Sequence, residues 1–425
     1  MELQRPSLNT IIPQISALPK AVYLDNGVEV QQIPLPSTDL VAISIMFQGG
    51  QWVQGKKLQS NYAIQQIISG THHLTSEALA DQLDYYGATI TTGATIAYCF
   101  LKLTCLRRTL PDVLPILSDI LTSPSYEQQK LDNALEEGLL AYQMNEQKVE
   151  QVSRRIFYQH LLGKKNPAAH YPDEKDYRSL TREDLICYHR QYLTLSNAVI
   201  YLTGKTDETL LTLLNQHLGH TICAQQPNCT YTPIPVTTSA QHLQEITLPI
   251  PSVQSGLRLG NLMPDSNSED FPVLQLTSTI IGGYFGSRLM KNIRERLGLT
   301  YGIGSNYFHI PYHNVFFIAT ETPKEHVAKC ISEIKKDLID LQNHPVSDEE
   351  MNNARNYRLG QFCRVTETSL SLSTLLMLQR SQGRTLTDLL KEQETIQSLT
   401  TTDIMLCAQK YFDPQDMLIA VAHGK

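Results

Sequence analysis

The chain has 425 residues, of which 41% are hydrophobic and 18% charged, and a formal net charge of -7 at pH 7. This length exceeds one ordinary hydrophobic core and predicts two domains or more. The acidic balance and the lack of a long lysine and arginine run argue against a nucleic-acid partner. We also expect no signal peptide, no membrane-spanning helix and no membrane partner, because the chain has neither a basic start nor a long apolar segment.

The hydrophobic spacing predicts similar elements in the same order in both halves of the chain. In the first half these are a strand at Val41–Phe47, a helix ending at Gly70, strands at Ala88–Ile96 and Phe100–Leu106, and a helix at Leu110–Leu121. In the second half they are a strand at Leu257–Leu262, a helix that reaches past Gly283, strands at Thr300–Phe308 and Val315–Thr320, and a helix at Glu325–Leu341.

An internal repeat supports this parallel. The residues Ser179, Leu180, Thr181, Asp184, Tyr192, Asn197, Gly204 and Lys205 recur as Ser398, Leu399, Thr400, Asp403, Tyr411, Asp416, Gly424 and Lys425. Both copies predict a capped helix followed by an apolar strand, at Ala198–Leu202 and at Met417–Ala422.

The repeat predicts an α+β protein of two homologous halves, each an antiparallel-rich sheet with helices packed on one face. We place the first half at residues 1–222 and the second at 242–425. The Thr-, Pro-, Gln- and Ser-rich residues 223–241 are predicted to be the linker.

One candidate site follows from the stretch between Ile280 and Tyr301. Gly298 is placed where a helix would stop, so Arg294 in the last turn and Tyr301 at the start of the next strand can converge. A guanidinium and a phenol together can hold a carbonyl oxygen or a terminal carboxylate. Alternatively, Arg294 complements the helix dipole and Tyr301 is an ordinary strand residue.

Four features of the sequence occur together: two similar halves, the Gly70-Thr71 pair that closes the first helix, the motifs G-G-Y-F-G-S-R-L and R-E-R-L-G-L-T-Y in the second half, and S-L-T-x-x-D-L. In this combination the chain resembles the pitrilysin or insulinase family of zinc peptidases. The resemblance implies a clam-like peptide-degrading chamber. It also implies an H-x-x-E-H zinc motif on the first helix of one half, and a substrate-holding arginine and tyrosine in the other half.

The zinc motif is degenerate in this chain. Counted back from Gly70-Thr71, its positions fall on Asn61, Ile64 and Gln65, and none of these side chains suits zinc or proton transfer. Glu136 and Glu137, near the place of the distal ligand, are better interpreted as solvated helical charges. We therefore expect no metal and no cofactor bound by this chain, with zinc supplied by a partner subunit.

Other histidine pairs do not replace the motif. His72 and His73 are adjacent and follow the glycine, and Pro311 separates His309 from His313. We expect surface or structural roles for them.

The resemblance implies a catalytically incomplete subunit that supplies Arg294 and Tyr301 to the chamber of a zinc-bearing homologous partner, in a heterodimer or a homodimer. The substrate would be a peptide or an unfolded protein segment. The alternative is a structural or peptide-binding scaffold of the same fold. Cys99, Cys105, Cys187, Cys330 and Cys407 have apolar surroundings and are predicted to be buried thiols of a reducing compartment, and we expect a cytoplasmic location.

Overall fold

A computed structural model describes residues 15, 18–35, 38–221 and 242–425. The strands among these residues form two sheets. The strands of the first sheet are β1 Lys20–Tyr23, β2 Glu29–Pro34, β3 Leu40–Gln48, β4 Thr89–Ala94, β5 Tyr98–Leu106 and β6 Ala198–Gly204. The strands of the second are β7 Leu243–Thr247, β8 Gln254–Met263, β9 Ile303–Ile310, β10 His313–Pro323 and β11 Leu418–His423.

The α-helices fall into two groups along the chain. The first half contains α1 Gln59–Gln66, α2 Ser76–Tyr85, α3 Leu110–Thr122, α4 Gln128–Asn145, α5 Val149–Leu162, α6 Glu174–Ser179, α7 Arg182–Tyr192 and α8 Glu208–Leu214. The second half contains α9 Phe271–Ser278, α10 Val327–Asn343, α11 Asp348–Thr366, α12 Ser369–Ser381, α13 Leu386–Ser398 and α14 Thr401–Tyr411.

The strand order confirms the predicted α+β fold of two related halves. The first sheet is ordered β1-β2-β6-β3-β5-β4 and the second β7-β11-β8-β10-β9. Apart from the additional β1, the two orders are the same, and in each sheet only one pair, β2 with β6 or β7 with β11, is parallel. The predicted linker and the boundary between the halves lie outside the described residues.

The repeated motif forms the same structure twice. Thr181 caps α7 by accepting from the backbone N–H of Asp184, and the Asp184 side chain accepts in return from the backbone of Thr181. Thr400 and Asp403 form the same reciprocal pair at the start of α14. These capping boxes satisfy backbone donors that the first helical turn leaves without partners, so the short motif fixes both helix starts.

Each sheet buries one face under helices of its own half. In β3, Val41, Ile43, Ile45 and Phe47 join a core with α1, α3, α7 and α8, since alternate strand residues point to one face. In β8, Leu257 and Leu259 join a separate core with α9, α10 and α14. The predicted helix layer is therefore present in both halves.

The opposite face of each sheet is covered by a helix from the other half. Phe157 and Leu161 of α5, a first-half helix, pack on Leu418 and Ala420 of the second sheet. Leu372 of α12 packs on the first sheet in the same way. Each half thus depends on the other to bury its sheet on both sides.

The cysteines differ from expectation at one position. Cys99, Cys105, Cys330 and Cys407 are buried free thiols, as their apolar surroundings predicted. Cys187, however, is exposed. It lies on the outer side of α7, and its apolar sequence neighbours Leu185 and Ile186 turn toward the core instead.

No helix in the described parts of the chain is both long and apolar enough to cross a membrane.

Candidate functional site

The three degenerate motif positions on helix α1 lie in different surroundings. Ile64 is 1% exposed and lies in the core of the first half. Gln65 faces solvent, and Asn61 is half-buried, with its Oδ1 accepting a 3.1 Å hydrogen bond from Gln51 Nε2. The middle position therefore contributes packing, because its side chain points away from the surface that Asn61 reaches.

These residues do not fit the zinc ion that the family resemblance implies. Two carboxamides and an alkyl group offer no imidazole and no water-activating carboxylate. Across residues 15, 18–35, 38–221 and 242–425, the structure brings together no group of three or more His, Cys, Asp or Glu side chains that could hold a metal. Glu136 and Glu137 are both exposed on α4.

A tyrosine between the motif positions ties α1 to α4. The Tyr62 hydroxyl donates a 3.1 Å hydrogen bond to the carbonyl of Ala134. Burial, with smaller effects from nearby Tyr177 and Glu137, raises the pKa of Tyr62 to about 12. Gly138 makes this contact possible, since a Cβ there would lie 2.1 Å from the Tyr62 hydroxyl. This part of α1 therefore serves helix packing.

Arg294 and Tyr301 lie side by side at the surface of the second half. Arg294 Nε donates a 2.9 Å hydrogen bond to the backbone carbonyl of Tyr301, and its guanidinium carbon is 4.9 Å from the centre of the Phe285 ring. Tyr301 is 90% exposed. The contact differs from a guanidinium–phenol pair, because the arginine holds the tyrosine's backbone and leaves the ring projecting into solvent.

A glycine and two π-helical segments position this pair. The predicted single helix is broken: α9 continues into a π-helical turn at Thr279–Gly283, and a second π-helical segment spans Met290–Arg296. Gly298 adopts a φ of +61°, which reverses the chain as the sequence predicted. The strand begins at Ile303 instead of Thr300, so Tyr301 lies in the connecting turn.

The neighbouring residues of the same motif are structural. A Cβ on Gly282 would lie 2.6 Å from the backbone nitrogen of Ser305, so this glycine permits close packing on β9. Arg288 donates to both oxygens of Glu350, at 2.7 and 3.0 Å, and to Asp340 at 2.9 Å. These partly buried ion pairs hold the residues just before the second π-helical segment against α10 and α11.

A cavity of about 530 Å³ lies between the two halves. Its wall is formed by residues near α1, by α5 and the segment that follows it, and by strands β8, β9 and β10. Asn61 lines it, whereas Arg294 and Tyr301 do not appear among the described residues of its wall. The structure therefore places the two groups of predicted site residues of a single chain in separate environments.

The cavity between the halves is basic, a property that no pattern in the sequence indicates. Arg154 from α5, Arg258 from β8, Lys57 and His170 line it, and its described wall contains no aspartate or glutamate. Burial, with Lys57 nearby, lowers the pKa of His170, so the arginines and the lysine carry the positive charge. Because α5 crosses to the other sheet, no spacing within the sequence brings Arg154 and Arg258 together.

A second cavity, of about 550 Å³, lies within the second half between α9, β9, α11, α12 and α13. It contains a buried ion pair, in which Arg384 Nη2 lies 2.5 Å from Glu392 Oε2. Arg358 lies 3.8 Å from the other oxygen of Glu392. Asn306 and Tyr307 of β9 border both cavities, so the two spaces lie on either side of one strand.

The two halves share one strand order, and residues near α1 line the cavity between them. Residues 179–357 match the family model described as "Peptidase M16 inactive domain". The structure superimposes on a "peptidase M16 inactive domain" from Pseudomonas fluorescens with a TM-score of 0.85 at 19% identity, covering 96% of this chain and 98% of that one. The sequence match over residues 179–357 and the shared fold agree with the pitrilysin/insulinase resemblance that the sequence motifs predicted.

Two curated relatives have similar lengths. An "Uncharacterized zinc protease" of Rickettsia felis is 22% identical over 342 residues, which cover 78% of this chain and 80% of the relative. A "Non-peptidase homolog YmxG" of Helicobacter pylori is 22% identical over 329 residues, covering 75% and 74% of the two chains. Relatives at the same distance thus carry both kinds of name.

Proposed function

We propose that this chain is the substrate-holding subunit of a divided peptidase. In this proposal it presents Arg294 and Tyr301 to a peptide held in a chamber that it shares with a zinc-bearing homologous subunit. The chain binds no zinc itself, and the partner's H-x-x-E-H helix supplies the metal that activates water.

The observation that carries this proposal is the exposed Arg294 and Tyr301 pair. A tyrosine that is 90% exposed contributes little to the stability of its own chain. The Arg294 Nε bond at 2.9 Å holds the backbone of the turn from which the phenol projects. An exposed phenol beside a guanidinium is suited to donate hydrogen bonds to the carbonyl oxygen of a peptide bond.

The surroundings of α1 support the other part of the proposal. A chain that performed the zinc chemistry alone would need two imidazoles one turn apart and a carboxylate between them. Here the carboxylate position is Ile64, inside the hydrophobic core. A different side chain at this position would have to leave the core before it could reach a metal.

The first experiment seeks the partner. The tagged full-length chain is used to capture proteins from an extract of its source cells, and the complex is assayed for zinc and for cleavage of a quenched fluorescent peptide. We expect a co-purified chain with an intact H-x-x-E-H motif, one zinc per complex and cleavage only by the complex. Stoichiometric zinc and turnover by this chain alone would contradict the proposal.

The second experiment tests the pair in that complex. Arg294→Ala and Tyr301→Phe are each expected to lower kcat/KM by roughly 10²–10³-fold, as loss of one donor to a developing oxyanion does. Arg296→Ala is the matched control, because Arg296 is in the same π-helical segment and is 67% exposed. If both variants cleave at the wild-type rate, the pair has no catalytic role and the scaffold alternative is favoured.

A further inference from the structure

The two arginines of the cavity between the halves, the buried Arg258 and the half-buried Arg154, lack close counter-charges. Arg258 is 5% exposed, and its nearest carboxylate, Glu150, lies 3.8 Å away with a side chain that is 44% exposed. Arg154 forms no ion pair within the described structure and donates instead to the neutral Gln151 at 2.6 Å. Lys57, in contrast, is paired with Asp176 at 2.9 Å. The positive charge left in the cavity therefore belongs to the two guanidinium groups.

Their donors are only partly used. The Nε atoms of Arg154 and Arg258 are both buried and have no hydrogen-bond partner among the described residues. A buried charged donor without a partner is unfavourable, because the protein replaces none of the hydration that the group loses. Because two guanidinium groups and no carboxylate line the described wall of the cavity, they indicate a ligand that accepts hydrogen bonds and carries negative charge.

The aromatic contacts of Arg258 decide how such a ligand would approach. Its guanidinium carbon lies 4.5 Å from the centre of the Phe317 ring and 5.8 Å from that of Tyr158. A guanidinium that stacks on rings keeps its N–H groups in its own plane, where they can meet a carboxylate in a bidentate arrangement. The rings also form an apolar wall beside the donors.

We propose that this cavity binds the carboxylate of a peptide C-terminus, with Arg154 and Arg258 as its donors and the last side chain against Tyr158 and Phe317. The size of the cavity, about 530 Å³, accommodates more than a small ion. Asn61 lines the same cavity, so guanidinium groups provide positive charge close to the degenerate zinc motif. The inference rests on the proposed function only in taking peptides as ligands.

The test uses the full-length chain without any partner. The probe is an N-terminally fluorescein-labelled Ala-Ala-Phe peptide, and its binding is followed by fluorescence anisotropy beside the same peptide with a C-terminal amide. We expect the free acid to bind at least about tenfold more tightly than the amide, as loss of a charge-assisted bidentate contact predicts. Inorganic phosphate, added as a competitor, is expected to displace the peptide only weakly.

Variants assign the effect to the cavity. Arg154→Gln and Arg258→Gln should each weaken binding of the free acid by about tenfold and leave binding of the amide unchanged. Arg178→Gln is the matched control, since Arg178 is 68% exposed on α6 outside the cavity, and it should stay within about twofold. Thermal unfolding checks each variant, and the half-buried Arg154 provides a second test if the Arg258 variant does not fold.

Several results would overturn the inference: equal affinity for acid and amide, unchanged binding by Arg154→Gln, no binding at millimolar peptide, or a preference for inorganic phosphate. These outcomes are independent of Arg294 and Tyr301, whose variants are measured by cleavage in the complex. If peptide binding depends on the free carboxylate but Arg294→Ala does not affect cleavage, only the proposed function is contradicted. If Arg294→Ala lowers cleavage but acid and amide bind equally well, only this inference is contradicted.

Discussion

A methyl group on Gly256 of β8 would lie 2.4 Å from the carbonyl oxygen of Val149, the first residue of α5. This relationship brings a first-half helix into backbone contact with the second sheet. The same helix carries Arg154 into the cavity between the halves. The geometry of that cavity therefore depends on the close approach of α5 to β8 at Gly256.

We expect Gly256→Ala to destabilise the chain by about 1–3 kcal/mol, because the added methyl group pushes α5 away from β8. The measurement is urea unfolding followed by circular dichroism. Gly302→Ala is the control, since a Cβ on Gly302 meets nothing within 4 Å and its φ is not in the left-handed region. Equal stability of the two variants would show that α5 does not pack as closely as described.

The reciprocal helix α12 can be tested in the same way. Leu372 is 2% exposed against the first sheet, whereas Leu378 on the same helix is 41% exposed. Leu372→Ala should lower the free energy of unfolding by about 2–5 kcal/mol, because it removes buried methyl groups and leaves a cavity. Leu378→Ala should change it by less than about 0.5 kcal/mol. A similar loss in both variants would contradict the exchange of helices.

Glu392 is the counter-charge for the buried Arg384 and the partly exposed Arg358 in the second cavity. Glu392→Gln leaves Arg384 and Arg358 without it and should destabilise the chain by about 3–5 kcal/mol. Glu394→Gln, on the exposed side of the same helix, should be close to neutral. Chemical denaturation measures both variants, and a near-neutral Glu392→Gln would mean that the pair adds little to stability.

Because of the buried His189, we expect the folded chain to lose stability in mild acid. Burial lowers the pKa of His189 in the folded chain, and its Nε2 donates to the carbonyl of Leu121 at 3.0 Å, so the ring is neutral. Because the folded pKa is below the unfolded value of about 6.5, the stability contribution is complete above that pH. It decreases as the pH falls through 6.5 toward the folded pKa.

Unfolding measured between pH 8 and pH 5 tests this expectation. His189→Gln should be less stable at pH 8 but should show a smaller decrease toward pH 5 than wild type. His220→Gln, at an exposed position, should keep the wild-type pH dependence. If His189→Gln loses as much stability between pH 8 and pH 5 as the wild type does, the pH effect belongs to other groups.

Restoring a carboxylate at the middle motif position should harm the fold. Ile64→Glu removes a core side chain and buries a carboxyl group, so we expect a destabilisation of more than about 3 kcal/mol. Gln65→Glu introduces the same residue one position later on the exposed side of α1 and should be nearly neutral. Thermal unfolding compares the two, and equal melting temperatures would contradict the described orientation of α1.

Much of the fold could be predicted from local patterns. Alternating and helical hydrophobic spacing located strands such as β3 and helices such as α3 to within a residue or two, because burial on one face imposes a period. The break at Tyr284 and the late start of β9 were not predicted. A buried apolar stretch has the same composition whether its helix is continuous or interrupted.

The candidate site was only partly predictable. Gly298 and its distance from Arg294 and Tyr301 indicated that the two residues converge, and they do so, although Arg294 contacts the Tyr301 carbonyl instead of its phenol. No pattern in the sequence indicated that Arg154 and Arg258 line the same cavity. They belong to different halves, and single arginines on a helix and a strand are ordinary in any chain.

By itself the sequence determined the two-half architecture, the repeated helix caps at Thr181 and Thr400, the absence of zinc-ligand side chains at Asn61, Ile64 and Gln65, and the turn at Gly298. Each depends on residues close together in the chain or on which chemical groups are present. Only the tertiary structure decided that α5 and α12 each pack on the sheet of the other half and that Arg154 and Arg258 meet in one cavity, because those contacts join residues about a hundred or more positions apart.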